Sequence, residues 1–314
     1  MKCVFVVNPV AGKGNLQKQL VPQIKEYFSS HSGEYEIHIT TAPGDAERYV
    51  KQLAQTGEQM RIFACGGEGT AFGVANGAFG YDNVAIGVIP CGSANDFLKY
   101  FDEIEPFSDL SAQIGGTEEP IDLIRAGDRY CINGCSVGMD AMVARDMSIF
   151  KHWPLVSGSF AYKLAILRNF LKFRLGVRIN LSVDGQEPRR QDCLFAVIAN
   201  APYYGGGYKG APAAHPNDGE LDFTMVKTIS HFKVLGFLPK YEKGEFSQFD
   251  FCTTARCKEM FFTAEKPVPV NLDGEIIEAS EMRFCVVPKA VRFVLPVGVS
   301  FRKSAENVEN VKIK

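Results

Sequence analysis

Apolar runs alternate with amphipathic segments over the first hundred residues. Residues 2–7 are almost wholly apolar, which is typical of a strand buried on both faces of a sheet. Leu16, Leu20, Ile24 and Phe28 then recur at helical spacing. The same alternation predicts strands at 35–39, 61–65 and 85–89, and helices from residue 45, over 69–78 and over 95–101. Strands that alternate with helices predict a parallel sheet with right-handed crossovers.

Strand-like segments dominate after about residue 120. Turn residues separate most of them, as in an antiparallel sandwich or barrel. The predicted segments lie at 130–133, 177–183, 192–199, 221–226, 259–263, 268–272, 282–287 and 291–295. We therefore predict an α/β domain with a parallel sheet and flanking helices over residues 1–127, and a β-rich, sandwich-like domain over 128–294. The tail, 295–314, is expected to pack back on the first domain.

Composition limits the classes of function. The 314 residues include 34 lysines and arginines and 36 aspartates and glutamates, a net charge of −2. A wholly basic nucleic-acid binder is excluded, and we expect no nucleic-acid partner. No apolar run reaches the roughly 18–20 residues that span a bilayer, and the N-terminal run is too short for a signal-peptide core. Nine cysteines, without a histidine at zinc-finger spacing, predict reduced thiols and a cytoplasmic protein.

Three loops with turn residues follow predicted strands, at 8–14, 66–70 and 90–96. In parallel sheets, ligands bind at the carboxyl ends of the strands. The glycines of 66–70 let backbone amides at a helix start approach an anion, although a plain strand–helix turn is the alternative. The loop has neither the Walker pattern nor the dinucleotide fingerprint. Three such loops at one edge favour a nucleotide site.

These loops resemble motifs of the diacylglycerol kinase catalytic family, which includes bacterial lipid kinases and the sphingosine and ceramide kinases. The resemblance rests on Asn8-Pro9-x-x-Gly12, Gly66-Gly67-Glu68-Gly69-Thr70 and Pro90-x-Gly92-Ser93-x-Asn95-Asp96. It continues through Asn133-Gly134-x-x-x-Gly138-x-Asp140-Ala141, Asn200-Ala201-Pro202-Tyr203-Tyr204-Gly205-Gly206-Gly207, Pro216-Asn217-Asp218-Gly219-Glu220-Leu221-Asp222 and Leu272-Asp273-Gly274-Glu275. It implies a nucleotide-binding domain, of a fold shared with NAD kinases, over a β-rich lipid domain.

The resemblance also implies which residues bind ATP. Lys13 would oppose phosphate charge, and Ser93 would take the place of the family's usual threonine. The implied set is Asn8, Pro9, Gly12, Lys13, Thr40, Gly66, Gly67, Glu68, Gly69, Thr70, Ser93 and Asn95.

Asp218, Glu220 and Asp222 alternate along one segment, so they can converge on a cation. A turn with solvated acids is the alternative. The resemblance implies a structural Mg²⁺ here, bound by the Asp218 side chain and by the backbone carbonyls of His215 and Glu220.

Asp273-Gly274-Glu275 is the second acidic pair. From spacing alone it is typical of a hairpin turn. By resemblance Glu275 accepts the proton of the lipid hydroxyl, with Asp273 beside it. Glu68 stands where the family has aspartate, near the metal and the phosphates. Its extra methylene matters, because a shift of about 1 Å can lower a rate about 100-fold.

The stretch from 151 to 178 has six lysines or arginines and no acids. Leu164, Leu167 and Leu171 follow helical spacing, and Lys163, Arg168 and Lys172 lie off that stripe. A basic amphipathic segment indicates contact with anionic lipid. A helix packed on the β-rich domain is the alternative.

Together these features predict an ATP-dependent lipid kinase that contacts the membrane peripherally. Diacylglycerol is the expected acceptor, giving phosphatidic acid, and the resemblance also allows a homodimer. The alternatives are a kinase for another lipid alcohol such as a sphingoid base or ceramide, an NAD kinase, and a weakly active regulator that binds nucleotide and lipid.

Overall fold

The computed structural model describes residues 1–91, 95–150, 164–165, 167–169 and 176–302. Four parallel strands form the first sheet, in the order β2-β1-β3-β4. Their bounds are Lys2–Val7 (β1), Tyr35–Ile39 (β2), Met60–Gly66 (β3) and Val84–Pro90 (β4). The flanking helices are Leu16–Ser30 (α1), Asp45–Ala54 (α2) and Glu68–Ala78 (α3). Val4 to Val7 are fully buried, because apolar side chains cover both faces of β1.

Two later strands extend this sheet. Strand β5 (Thr117–Ala126) and strand β13 (Glu275–Leu295) pair antiparallel, and the end of β13 runs parallel beside β4. Short helices connect β4 to β5: 3₁₀ helices at Asp96–Tyr100 and Glu105–Ser108, then α4 (Leu110–Ile114). The predicted helix over 95–101 is therefore a 3₁₀ helix, and the sequence pattern missed β5.

The second half is an antiparallel β structure around its own apolar core. Its strands are Arg129–Cys131 (β6), Gly134–Gly138 (β7), Val177–Val183 (β8), Arg189–Ala199 (β9), Leu221–Lys227 (β10), Cys252–Cys257 (β11) and Glu259–Leu272 (β12). The helices Met139–Phe150 (α5) and His231–Glu242 (α6) pack on it through a further cluster of buried side chains, which also includes Ala165. The predicted fold class, an α/β domain followed by a β-sandwich-like domain, is confirmed.

Strands β12 and β13 are each longer than the segments predicted for them. Segments 259–263 and 268–272 join in β12, and 282–287 and 291–295 join in β13. Each strand contains a register shift, between Thr263 and Val268 and between Val287 and Val291. Such irregularities bend a strand and interrupt its alternation, so a sequence pattern shows two short strands instead of one.

Strand β13 extends from the β structure into the first sheet. The segment that follows β13 packs against the first domain. The Val297 amide donates to the Ala112 carbonyl at 3.0 Å, and Val299 and Phe301 pack on the first core. All nine cysteines are free thiols. Among the helices of the described residues, none is long and apolar enough to cross a bilayer.

Candidate active site

The loops after β1, β3 and β4 are bound to one another. The Asn8 amide donates to the Cys65 carbonyl at 3.0 Å, and the Cys91 amide donates to the Gly66 carbonyl at 3.2 Å. The Asn8 side chain also reaches the Thr70 hydroxyl, at 3.4 Å. A Cβ on Gly66 would lie 2.4 Å from the Thr70 Oγ1, so only glycine fits there. These contacts fix the start of α3 against the end of β1.

A cleft of about 760 Å³ opens beside these loops. Six of the predicted nucleotide-binding residues line it: Asn8, Pro9, Thr40, Gly67, Gly69 and Thr70. Its opposite side is formed by the β12–β13 turn, with Leu272, Glu275 and Ile277. Gly66 is buried behind this surface, whereas Gly12 is exposed, and a Cβ on Gly12 would lie 3.2 Å from the Cys91 carbonyl oxygen. Ser93 and the side chain of Lys13 lie outside the part of the chain that the structure describes.

Glu275 is the first residue of β13, and its exposed side chain enters the cleft. Its Oε1 lies 3.4 Å from the position that a Cβ on Gly69 would take. The carboxylate is therefore close to the first turn of α3, where unpaired backbone amides favour an anion. A phosphate bound at those amides and a hydroxyl beside Glu275 would meet in one cleft.

Asp273 is buried and holds the β12–β13 turn. Its carboxylate accepts N–H bonds from Ile132 at 2.5 Å, Asn133 at 3.1 Å and Gly134 at 2.8 Å. Its φ of 49° lies in the left-handed region, which a two-residue Asp-Gly turn requires. Burial raises the pKa of Asp273 to about 6, and the three amide donors oppose that shift. The Asp273 carboxylate therefore holds the turn in position and is not open to the cleft.

Glu68 begins α3 and points toward the same turn. Its Oε1 accepts the Asp96 N–H at 3.2 Å, and its Oε2 lies 3.7 Å from the position of a Cβ on Gly274. Burial raises the pKa of Glu68, and the charge of Asp96 adds to the shift. Glu68 and Asn95 also line a small cavity with Asp273. The longer side chain of Glu68 therefore allows its carboxylate to accept a hydrogen bond from the Asp96 amide.

Asp96 and Lys99 belong to the site, and the sequence analysis did not assign them. Asp96 is fully buried and accepts from Lys99 Nζ at 2.5 Å and from the Gly206 amide at 2.6 Å. Asp96 therefore links the first domain to the 204–208 turn. The sequence did contain a signal for this pair, because Asp96 ends one of the family motifs and a lysine follows three residues later on a predicted helix.

Asp140, in the first turn of α5, supports the β12–β13 turn from behind. It accepts from the Ser136 hydroxyl at 2.5 Å and from the Asn271 side chain. Asn271 Oδ1 in turn accepts the Gly274 N–H at 2.7 Å. Burial raises the pKa of Asp140 to about 6. A chain of hydrogen bonds thus runs from α5 to the residue before Glu275.

Two of the three residues predicted to bind magnesium, Asp218 and Glu220, have side chains beside an arginine. Asp218 forms an ion pair with Arg256, and the Arg256 Nε lies 3.2 Å from Glu220 Oε2 and 4.0 Å from Asp222 Oδ2. The ring of His215 lies against Tyr100, with its Nε2 2.9 Å from the Arg302 carbonyl oxygen. Within the described residues, no group of three or more acids, histidines or cysteines is arranged to hold a metal. This donor set does not fit a bound Mg²⁺, because the Asp218 carboxylate is already paired with a guanidinium.

The basic stretch 151–178 lies mostly outside the described residues. Of its three predicted lipid-facing cations, Lys163 and Lys172 lie outside them, and Arg168 is described. The Arg168 Nε lies 3.5 Å from an oxygen of the buried Asp146. The Arg168 side chain is also 53% exposed, and membrane contact through this stretch stays a prediction.

The fold and the site together define a two-domain phosphotransferase architecture, and two family models match it in succession. The diacylglycerol kinase catalytic domain matches residues 2–126, and the YegS C-terminal NAD kinase beta sandwich-like domain matches residues 133–295. The chain therefore belongs to the diacylglycerol kinase catalytic family, as its motifs indicated. The predicted boundary at 127/128 lies just after the first matched range and stays a prediction.

Individual proteins are similar over most of the chain. A protein of Pseudomonas putida named "Probable lipid kinase YegS-like" is 30% identical over 268 residues, which cover 84% of this chain and 86% of that protein. A Mycobacterium tuberculosis protein named "Diacylglycerol kinase" is 27% identical over 303 residues, covering 94% and 95%. The crystal structure of a diacylglycerol kinase from Bacillus anthracis str. Sterne has a TM-score of 0.68 at 19% identity, covering 95% and 98%. That last likeness supports the fold alone.

Proposed function

We propose that the protein transfers the γ-phosphate of ATP to the hydroxyl of a membrane lipid. The observation that carries this proposal is the position of Glu275, which faces the glycine-rich start of α3 across a single cleft. Phosphoryl transfer is mainly a matter of positioning and charge stabilisation, so a phosphate cradle opposite a carboxylate is the arrangement that it needs.

Each part of the cleft has a role in the proposed reaction. The backbone amides of Gly67, Glu68 and Gly69 hold the phosphates, and the Asn8–Thr70 contact keeps that loop in place. The lipid hydroxyl oxygen attacks the γ-phosphorus, and the bond to the bridging oxygen breaks as ADP leaves. The hydroxyl proton passes to the Glu275 carboxylate. MgATP is the substrate form that we propose, and the cation arrives with the nucleotide.

The acceptor that we propose is diacylglycerol, with phosphatidic acid as the product. Support comes from the Mycobacterium tuberculosis relative, whose name states that activity. The sphingoid bases and ceramide are the competing acceptors. We further propose that the protein is cytoplasmic and acts while bound peripherally to an anionic membrane surface; self-association as a dimer stays a prediction from family resemblance.

Glu68 favours a second candidate function, a regulator that binds nucleotide and lipid with little turnover. Its carboxylate is occupied by the Asp96 amide, where the family has a shorter aspartate. A regulator would bind ATP without transferring phosphate, and the Glu68→Asp variant would not restore transfer. A kinase would transfer phosphate in its wild-type form.

The test is transfer of labelled γ-phosphate from ATP to vesicles that contain diacylglycerol, ceramide or a sphingoid base. We expect Glu275→Gln to lower kcat by about 10²–10⁴-fold, the contribution of a positioned base. The matched control is Glu281→Gln, which changes an exposed glutamate on the same strand and should keep full activity. Equal activity of Glu275→Gln and wild type would refute the assigned role.

A further inference from the structure

One guanidinium lies among three carboxylates at the start of β10. Arg256 forms an ion pair with Asp218, and its Nε lies 3.2 Å from Glu220 Oε2 and 4.0 Å from Asp222 Oδ2. The Arg256 side chain is only 16% exposed. We refer to these four residues as the arginine cluster. Partly buried charges need a partner of opposite sign, and here the partner is built into the chain.

Strand pairing fixes the arginine in this position. Arg256 in β11 is directly opposite Asp222 in β10, in an antiparallel ladder that runs from Leu221 to Val226. The Asp218 Oδ1 accepts the Glu220 N–H at 3.0 Å, which turns the loop back toward the guanidinium. The arginine thus comes from the backbone register of the sheet and not from a flexible surface segment.

The 215–222 loop, which carries the acids of the arginine cluster, is connected to the β12–β13 turn. The Gly219 N–H donates to Asp122 Oδ2 at 2.7 Å, and the Lys289 N–H donates to Asp122 Oδ1 at 2.8 Å. The Asn200 side chain donates to the carbonyls of Asp122 and Ile132, each at 2.8 Å. The Ile132 N–H then binds Asp273, two residues before Glu275. A chain of hydrogen bonds therefore connects the 215–222 loop to the turn that carries Glu275.

We propose that Arg256 does the work of a structural cation in this protein, so that the 215–222 loop is ordered without a bound divalent metal. Guanidinium is always charged at accessible pH and offers five N–H donors in a planar fork, which suits several carboxylates at once. A divalent ion at the same carboxylates would be repelled by the arginine and would have to displace it. The inference is independent of the proposed activity, because it concerns folding and metal content.

The first experiment measures metal in the nucleotide-free wild-type protein. After gel filtration in buffer without added metal, elemental analysis should find substoichiometric magnesium, calcium and manganese. The Tm should be the same with EDTA and with added MgCl₂. One tightly bound metal per chain, or a lower Tm in EDTA, would overturn the proposal.

The second experiment removes the guanidinium. Arg256→Met keeps much of the side-chain length and leaves three acids without their cation, so the Tm should fall by roughly 5–10 °C. Added Mg²⁺ or Mn²⁺ should then raise the Tm of this variant and leave that of the wild type unchanged. Arg256→Lys, which keeps the charge, should retain more stability than Arg256→Met.

The matched control is Arg283→Met on β13. Arg283 also forms an ion pair, with Glu259, but its side chain is 51% exposed, so its loss should change the Tm little. An unchanged Tm of Arg256→Met would show that the arginine does not hold the loop and would refute the proposal. If Arg256→Met does not fold, the wild-type metal content and EDTA response still decide the question.

Discussion

Replacing Gly66 with alanine should displace the 66–70 loop without straining the backbone. A Cβ at this position would lie 2.4 Å from Thr70 Oγ1, 2.9 Å from Thr70 Cβ and 3.3 Å from Asn8 Cβ. Ordinary contacts begin near 3.4 Å, so Thr70 and the first turn of α3 must move by about 1 Å. The Gly66 φ is not in the left-handed region, and the effect is therefore purely steric.

Two magnitudes follow from this overlap. Overpacking of this kind destabilises a protein by about 1–3 kcal/mol. A shift of about 1 Å in a group that positions the reacting phosphate can lower the rate about 100-fold. We therefore expect Gly66→Ala to lower kcat/KM for ATP by roughly that factor, with a modest loss of stability.

The assay is ATP-dependent phosphate transfer with varied ATP, together with urea unfolding of the same preparation. The Thr70→Ala variant and the Gly66→Ala/Thr70→Ala double variant separate the causes, because the double variant removes the closest overlap. It should regain part of the stability that Gly66→Ala loses. The control is Gly236→Ala in α6, where a Cβ meets nothing within 4 Å. A normal kcat/KM for Gly66→Ala would refute the packing argument.

Two further predictions concern the residues that support the β12–β13 turn. Asp140 has a folded-state pKa raised from 3.8 to about 6, so its contribution to stability is present below pH 4 and is lost as the pH rises to about 6, a difference of ~3 kcal/mol. Asp140→Asn, which can still bond Ser136 and Asn271, should therefore be more stable than wild type at pH 7 and equal to it near pH 4 in urea unfolding; equal stability at both pH values would contradict this. Asp273→Ala leaves three amides without an acceptor and should lower both kcat and unfolding free energy, the latter by about 1–3 kcal/mol. Glu275→Gln should lower kcat alone, and a normal Tm for Asp273→Ala would argue against its anchoring role.

The sequence predicted that the loops after β1 and β3 lie together, because their positions follow from topology. The carboxyl ends of β1 and β3 are adjacent in any parallel sheet of this order, so Asn8 and Thr70 meet whatever surrounds them. Gly66 could likewise be identified from sequence, since a close strand–helix turn requires a residue without a side chain. Turn chemistry, together with the rule that parallel strands end at the same edge of a sheet, was sufficient to predict these contacts.

The arginine cluster could not be predicted in this way. Arg256 is far from Asp218 in the chain, and it reaches the acids only through the register of β10 with β11. No motif contains it, and an isolated arginine in a strand is ordinary. Asp122 was missed for a similar reason, because its partners at Gly219 and Lys289 come from two distant segments.

The partners of each carboxylate support Glu275 as the proton acceptor in the proposed reaction. Asp273 accepts backbone N–H groups from another segment, and so does Asp96, which in addition binds Lys99. Protonation of Asp273 would weaken the hydrogen bonds that hold the β12–β13 turn, and protonation of Asp96 would weaken its bond to Gly206 in the other half of the molecule. Glu275 accepts no hydrogen bond from the described residues, and its side chain is exposed in the cleft. In the proposed reaction Glu275 can therefore face the lipid hydroxyl while the buried acids keep the turn in place.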